Sequence, residues 1–263
     1  MLYEFFPGAY APLVATFVWS LLICVIGHYL VFRVPLFSSL VQAPIVPPFM
    51  ALPAILFAFL MAFMASAAWQ NITLARSALV NEHAALDRLA AVPIAPTAAK
   101  QQLQSSLRRY VNAVLDDEWE KRHNESASPD AEEAIDSLAS GIWAIDGQCR
   151  AQARTAPDCT SDLDVSTYVK SLDDLRVARD DRLSLGYQGT LRLKWVLVIM
   201  LAFATSLSIA AIHRSSARTS AISLGIFGLS IWMTFAMVAL HIQPYRGPDA
   251  LSSRPLQELR AKI

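Results

Sequence analysis

The chain has 263 residues, of which 54% are hydrophobic and 17% are charged, and its formal net charge is zero. This composition is too apolar and too poor in charge for an ordinary soluble domain. The charges are divided unevenly, because residues 71–192 carry 14 Lys/Arg and 19 Asp/Glu while the rest of the chain carries 8 and 3. No basic patch of the kind that binds nucleic acid is present in the sequence. An acidic, water-facing block therefore lies between apolar segments with basic edges.

Four apolar stretches are each close to the roughly 20 residues that a membrane-spanning helix needs. They are Pro12–Phe32, Phe49–Ala68, Trp195–Ile212 and Ala221–Ile242. The first is not typical of a cleaved signal peptide, since Glu4 rather than a basic residue precedes it and its apolar run is too long. We therefore expect an all-α, four-span helical membrane protein with a helical extramembrane domain between spans 2 and 3.

The second span has two distinct faces when it is placed on a helix. One face carries small residues, namely Ala51, Ala54, Ala58, Ala62 and Ala65. A neighbouring face, roughly 90° away, is bulky at one end and polar at the other, and consists of Leu52, Ile55, Phe59, Phe63, Ser66 and Gln70. Small residues let helices approach closely in lipid, so the alanine face predicts helix packing. The second face suits the lining of an axis between subunits, although aromatic residues at helical spacing are equally typical of a packed bundle.

The water-facing block reads as a series of helices. The helical pattern of the second span continues without Pro or Gly as far as Pro93, which predicts one long helix that leaves the membrane. Thr97 caps the next predicted helix, whose apolar stripe is Leu103, Leu107, Tyr110, Val111, Val114 and Leu115. Ser128 and Pro129 predict the start of another helix, which should end before a polar loop at residues 147–162. A last helix from about Asp164 is expected to lead into the third span.

Four segments follow from these elements. We expect spans 1 and 2 in residues 1–70, the extramembrane domain in residues 71–192, spans 3 and 4 in residues 193–243, and a C-terminal tail in residues 244–263. The predicted polar loop contains Cys149 and Cys159, which would be able to form a disulfide if this side of the membrane is exported. In a reducing cytosol both would be free thiols.

The orientation follows from the basic residues near the span ends, because four spans place both termini and the 71–192 domain on one side. That side carries Arg76, Arg192, Lys194, Arg246, Arg254, Arg260 and Lys262, and the two short loops opposite carry Arg33, Arg214 and Arg218. The positive-inside rule thus favours a cytoplasmic domain. The first span alone favours the reverse, since Arg33 follows it and no basic residue precedes it.

Polar clusters in the sequence favour structural roles. The carboxylates of Asp116, Asp117, Glu118 and Glu120 lack the glycine and the alternating oxygen spacing of a calcium loop, so we expect neither a metal site nor a cofactor. Arg176, Arg179 and Asp180 share one helix face, and pairing with these acids is favoured over a ligand-binding arginine cluster. His28 and His241 lie in or beside spans, where ionisable groups are functional candidates, although bonding to a neighbouring helix is commoner. No catalytic motif is present, and no enzymatic activity is expected.

Four pieces of the sequence, taken in order, resemble the bacterial bestrophin-like membrane protein family. They are the A-R-x3-V-x-E-x2-A-L-x2-L run (Ala75–Leu89), the Y-V-x-A-V-x-D-x-E-W run (Tyr110–Trp119), the A-R-x2-R-L run (Ala178–Leu183) and the P-Y-x-G turn (Pro244–Gly247). With the four-span layout, the resemblance covers most of the chain. The sequence departs from the family in its closing turn, where His241 to Tyr245 stand in place of a segment usually written with Asp and Phe.

The resemblance implies an oligomeric ion channel, a pentamer by analogy, that conducts anions. It implies that the second span lines the pore and that Leu52, Ile55, Phe59 and Phe63 form an apolar gate. The expected partners are the lipid bilayer, further copies of the chain and permeant ions, and the expected location is the bacterial inner membrane. The excess of acidic residues in the 71–192 domain argues against simple anion selectivity. The alternative function is a non-conducting membrane sensor or scaffold whose helical domain binds a partner.

Overall fold

The computed structural model describes residues 10–35, 51–91, 97–152, 165–187, 191–247 and 249–263. These residues form eight α-helices and contain no β-strand, so the all-α prediction is confirmed. The helices are α1 (Ala11–Arg33), α2 (Leu52–Ala91), α3 (Thr97–Ala113), α4 (Pro129–Gln152), α5 (Val165–Gly186), α6 (Leu191–Ile212), α7 (Ala217–His241) and α8 (Arg254–Lys262). A π-helical segment, Val114–Trp119, extends α3.

The chain divides into two compact units. The membrane unit consists of residues 1–72, 188–243 and 247–249, and the second unit consists of residues 73–187, 244–246 and 250–263. Helix α2 is 40 residues long and contributes its first half to the membrane unit and its second half to the other. The long helix that the sequence predicts beyond Ala68 is therefore present, while Pro93 lies outside the described residues.

The membrane unit contains four helices that are long and apolar enough to cross a bilayer, which confirms the four predicted spans. Their buried faces meet in a core that includes Ile23, Met61, Val198 and Phe235. Gly27 permits a close approach of α1 to α6, because a Cβ atom added there would lie 2.4 Å from Ser206 Oγ. Across this contact Ser206 Oγ donates a hydrogen bond of 3.2 Å to the carbonyl of Ile23. Small residues thus bring these two spans together, as is usual in lipid.

The second unit is a helical bundle around one apolar core. Every residue of the apolar stripe predicted for α3 and the π-helical segment is buried, from Leu103 to Leu115. Helix α4 contributes Leu138 and Ile142, and α5 contributes Leu172 and Leu175. These positions follow the three- and four-residue spacing of an amphipathic helix, and hydrophobic burial stabilises their association.

One expectation about the second unit is corrected. The predicted loop at residues 147–162 is wrong for its first part, because α4 continues to Gln152. Gly147 weakens a helix by only about 1 kcal/mol relative to alanine and does not end this one. The expected C-terminal tail contains α8, whose Leu256 and Leu259 are buried in the core. The pairing of Cys149 and Cys159 lies outside the described residues.

A tight turn follows the π-helical segment and packs against the end of α5. Both His123 and Asn124 have positive φ, at 49° and 60°, a conformation that asparagine tolerates better than most residues. The turn lies so close to Gly186 that a Cβ atom added there would be 1.8 Å from the carbonyl oxygen of Asn124. Only glycine therefore fits at this position of α5 without movement of the backbone.

Replacement of Gly186 by alanine is expected to destabilise the second unit by about 1–3 kcal/mol, since the new methyl group overlaps backbone rather than a flexible side chain. Thermal unfolding of the purified protein in detergent measures the change. Gly147→Ala is the matched control, because no atom lies within 4 Å of an added Cβ there. The control should be neutral or stabilising by about 0.5–1 kcal/mol. Equal midpoints for the two variants would contradict the contact.

Candidate functional site

The first half of α2 presents one face to the rest of the membrane unit and the opposite face to the outside of the chain. The inward face consists of Met61, Met64 and Ala68, which are all buried. The outward face carries Phe59 and Phe63, whose surfaces are 61% and 70% exposed. Most of the surface of these two aromatic residues is therefore left uncovered by the residues that the structure describes.

The outward face coincides with the stripe singled out in the sequence, because all of its members are exposed: Leu52, Ile55, Phe59, Phe63, Ser66 and Gln70. The amide Nε2 of Gln70 donates a hydrogen bond of 3.3 Å to Ser66 Oγ. The alanine face flanks this stripe. Its members Ala51, Ala58 and Ala62 are exposed and the other two, Ala54 and Ala65, are half-buried. The alanines are thus available to a neighbouring helix from outside the chain.

The second unit encloses a cluster of charged side chains around Arg182, which has no solvent exposure. Its guanidinium donates two bonds to Glu82, from Nε to Oε2 at 2.6 Å and from Nη2 to Oε1 at 3.1 Å. Nη2 also donates to Glu118 Oε2 at 2.7 Å, and Nη1 donates to Asn124 Oδ1. Tyr110 donates its hydroxyl to Glu82 Oε1 at 2.5 Å. Each of these partners is fully buried.

A second arginine completes the charge balance of the cluster. Arg179 donates to Glu118 Oε1 from Nη2 at 2.6 Å and from Nε at 3.1 Å. The backbone N–H of Ser128 donates to the same oxygen at 2.9 Å. Two carboxylates and two guanidiniums are therefore buried together, and a burial of this kind is tolerable because each charge is paired and hydrogen-bonded.

The electrostatics keep Glu118 and both guanidiniums ionised. Burial opposes ionisation of Glu118, but Arg182 and Arg179 outweigh it and hold the pKa of the Glu118 carboxyl below its usual value. Burial likewise disfavours the charged form of each guanidinium, yet the neighbouring carboxylates raise the pKa of Arg182 and of Arg179. Burial, followed by the charge of Glu82, raises the pKa of Tyr110 well above its usual value. Tyr110 thus remains a neutral hydrogen-bond donor.

The π-helical segment and two aromatic rings shape the cluster. The π-helix carries both Glu118 and Trp119, and such segments are frequent at functional sites. The Trp119 ring lies 5.9 Å from the guanidinium carbon of Arg182, within the range of a cation–π contact. Tyr245 packs edge-on against Trp119, with ring centroids 5.4 Å apart. The turn after α7 therefore contributes to the same cluster.

The sequence predicted part of this arrangement. The expected pairing of Arg179 with the acidic run is confirmed by its bonds to Glu118. For Arg176 the expectation is wrong, because this side chain pairs instead with Asp136 of α4 at 3.5 Å. The central pair, Glu82 and Arg182, was missed. The sequence does contain a signal for this pair. Both residues occupy positions where the helical spacing predicts a buried apolar side chain, and a charged residue there needs a buried partner.

The other candidate groups have ordinary partners. Asp117 pairs with Arg122 at 3.0 Å and Asp116 with Arg260 at 3.4 Å, so cations already neutralise these acids. Within the part of the chain that the structure describes, no three His, Cys, Asp or Glu side chains are placed to hold a metal ion. His28 in α1 lies 3.4 Å from Ser220 of α7, and His241 bonds the carbonyl of Met237 in its own helix at 2.7 Å.

Comparison with known proteins identifies the family. A model of the bestrophin-like domain matches residues 14–256. The chain belongs to the bestrophin-like family. It is therefore a multi-pass membrane protein, and the family assignment suggested by its motifs is confirmed. Those motifs converge on the buried cluster, because they supply Glu82, Tyr110, Glu118, Arg179, Arg182 and Tyr245.

Solved structures share the fold of this bestrophin-like protein at low sequence identity. A variant of a bacterial bestrophin homologue from Klebsiella pneumoniae is similar with a TM-score of 0.63 and 12% identity, over 95% of this chain and 96% of that one. A second variant of that homologue gives 0.61 and 12%, over 95% and 93%. A further membrane protein gives 0.62 and 14%, over 95% of both chains. Among curated protein sequences, none is significantly similar.

Replacement of Arg182 by methionine is expected to destabilise the protein by about 3–5 kcal/mol at neutral pH, because Glu82 would then be buried without its cation. Thermal or denaturant unfolding in detergent measures the loss. Arg88→Met is the control, since its ion pair with Asp174 is exposed and contributes about 0–1 kcal/mol. Similar losses for the two variants would contradict the importance of the buried pair.

The difference in stability between the Arg182→Met variant and the native protein should depend on pH in a definite direction. In the native protein the folded-state pKa of Glu118 lies below its ordinary value of 4.5. Its stabilising contribution is therefore complete above that pH and is lost as the pH falls through the folded-state pKa. In the methionine variant Glu118 has lost one of its two arginine partners, so less of this pH-dependent contribution is present. The stability difference between variant and native protein should consequently shrink on acidification.

Proposed function

We propose that the protein is an oligomeric ion channel of the bacterial inner membrane, in which α2 of each copy lines a shared pore. The observation that supports this most directly is the exposed face of α2, which is aromatic at Phe59 and Phe63 and polar at Ser66 and Gln70. Membrane bestrophin homologues with the same fold make a channel the natural role for that face. A pentamer is the expected assembly, with the alanine face of α2 against the neighbouring copy.

The gate in this proposal is the apolar part of the stripe. A narrow ring of Leu52, Ile55, Phe59 and Phe63 side chains would expel water and stop ions without a charged barrier. The polar residues Ser66 and Gln70 follow on the same face and would line a wider, hydrated part of the pore. Along α2, the apolar side chains would thus form a dry constriction and the polar side chains that follow would line a hydrated vestibule.

Anions are the proposed permeant ions. Between Leu52 and Asn81 the only charged residue is Arg76, so this part of α2 offers no carboxylate to attract cations. The acidic Glu82 and Glu118 are buried and neutralised by arginines, and they contribute little net field. Cation pores commonly use rings of acidic side chains, which this stretch of α2 lacks.

Substitution of Phe59 and Phe63 by alanine should raise unitary conductance or open probability, because a wider and less apolar ring stays hydrated. Purified protein in planar bilayers provides the measurement. Ile226→Ala on α7 is the control, since it shortens an exposed apolar side chain of another span. Unchanged currents in the phenylalanine variants would contradict the assignment of these residues to the gate. A native protein that carries no current under varied voltage, pH and calcium would favour the alternative function, a non-conducting sensor or scaffold.

A salt gradient across the same bilayers tests the permeant ion. With unequal NaCl on the two sides, the reversal potential should move toward the equilibrium potential of chloride. Movement toward the sodium potential would contradict anion conduction while leaving the pore itself in place.

The proposed orientation places the second unit and both termini in the cytoplasm. A membrane-impermeant maleimide applied to intact cells should leave Cys149 and Cys159 unlabelled and should label them after permeabilisation. Cys24 is buried in the membrane unit, and Cys24→Ala removes it as a background site. Labelling of the first two cysteines in intact cells would reverse the orientation.

A further inference from the structure

The second half of α2 carries a single charged residue, Glu82, on its buried face. Glu82 accepts two hydrogen bonds from Arg182 and one from Tyr110. Its neighbours on that face, about one helical turn away on either side, are the buried apolar residues Ala78, Leu79, Ala85 and Leu86. Apolar contacts are non-directional, whereas the hydrogen bonds to Glu82 fix an angle, so Glu82 adds directional control of the rotation of the helix about its axis.

Away from that face, the same segment carries polar and uncharged residues that are exposed. Ser77 and Asn81 are both exposed in the second unit. Helix geometry places Ser77 roughly 140° from Glu82 around the axis. These residues continue the stripe of Phe63, Ser66 and Gln70 along one continuous helix. Any rotation at Glu82 would therefore turn Ser77 and Asn81 by the same angle.

Arg182 is suited to fixing a rotation because its own orientation is fixed. Its planar guanidinium bonds Glu82 through two atoms, which sets an angle as well as a distance. Glu118 accepts a further bond from its Nη2 and Asn124 one from its Nη1, and its guanidinium carbon lies over the Trp119 ring. A lysine would supply the same charge without the two-pronged geometry.

We propose that Glu82 and Arg182 are positioning residues of the pore, which set its conductance and ion selectivity by fixing the rotation of α2 so that Ser77 and Asn81 face the conduction path. This inference rests on the proposed channel function. Both residues are buried in the second unit, so they would act on the pore through the position of α2 and not by contact with ions. Buried ion pairs contribute little net stability relative to apolar packing, which is consistent with a role in selecting one arrangement.

The electrical test uses Glu82→Gln and Arg182→Lys in planar bilayers. Glu82→Gln keeps the size of the side chain and removes its charge, and Arg182→Lys keeps the charge and removes the two-pronged bond. Both should change the unitary conductance and shift the reversal potential in a salt gradient. Glu133→Gln is the matched control, because it removes an exposed carboxylate paired with Arg109 outside the cluster. It should leave both quantities unchanged.

A labelling test reports the rotation without any current. In a background free of native cysteines, Ser77→Cys should react with a charged thiol reagent and Ala78→Cys should not, since Ala78 is buried. Adding Glu82→Gln should lower the first reactivity and raise the second. Tyr110→Phe, which removes one of the three bonds to Glu82, should produce a smaller change in the same direction and serves if Glu82→Gln does not fold.

The outcomes separate the inference from the proposed function. Variants that unfold at lower temperature but keep native conductance, reversal potential and labelling would show a purely structural role and overturn the inference. An Arg182→Lys variant with native properties would overturn the geometric part of it, because charge alone would then suffice. A native protein without current would refute the channel, and the labelling comparison would still decide whether Glu82 fixes the rotation of α2.

Discussion

The arrangement of the second unit depends on the burial of the Arg182 guanidinium. A guanidinium cannot lose its charge, so its donors must be matched wherever the fold removes it from water. Glu82, Glu118 and Asn124 accept four bonds from it, and they come from α2, the π-helical segment and the turn that follows it. Losing one partner of such a group costs about 3–5 kcal/mol, whereas the complete cluster is close to neutral relative to apolar packing. The cluster therefore excludes alternative arrangements more than it adds stability.

Much of the fold could be predicted because the membrane restricts the backbone. A chain in lipid must satisfy its own N–H and C=O groups, so a long apolar run can only be a helix or part of a closed barrel. The four spans and the long α2 follow from that rule and from the absence of Pro and Gly between Ala54 and Pro93. The buried apolar stripe from Leu103 to Leu115 could also be predicted, because its spacing repeats with the helical period.

The buried cluster was less readable because its bonds join distant parts of the sequence. Arg182 lies 100 residues from Glu82 and 64 from Glu118. Helical periodicity shows which residues share a face of one helix, but it does not show which helices come together. Glu118 was grouped with its acidic neighbours, although the π-helical turn directs it inward, and π-helices have no reliable sequence signal. The docking of α8 through Leu256 and Leu259 was missed for the same reason. For the stripe on α2, the residues were found from periodicity and their role stays a prediction.

The polar end of that stripe bears on whether it faces lipid or water. Hydroxyl side chains tolerate lipid because they can donate to their own helix, as Ser230 does to the carbonyl of Ile226 at 3.0 Å and Thr234 to that of Ser230 at 2.8 Å on α7. The amide of Gln70 has two N–H groups and a carbonyl oxygen, and its bond to Ser66 uses one N–H group. A pore supplies water for the remaining capacity of an amide and the hydrocarbon of a bilayer does not. Gln70 lies two residues beyond the predicted end of span 2 at Ala68, where its amide reaches water, and this agrees with the proposed hydrated part of the pore.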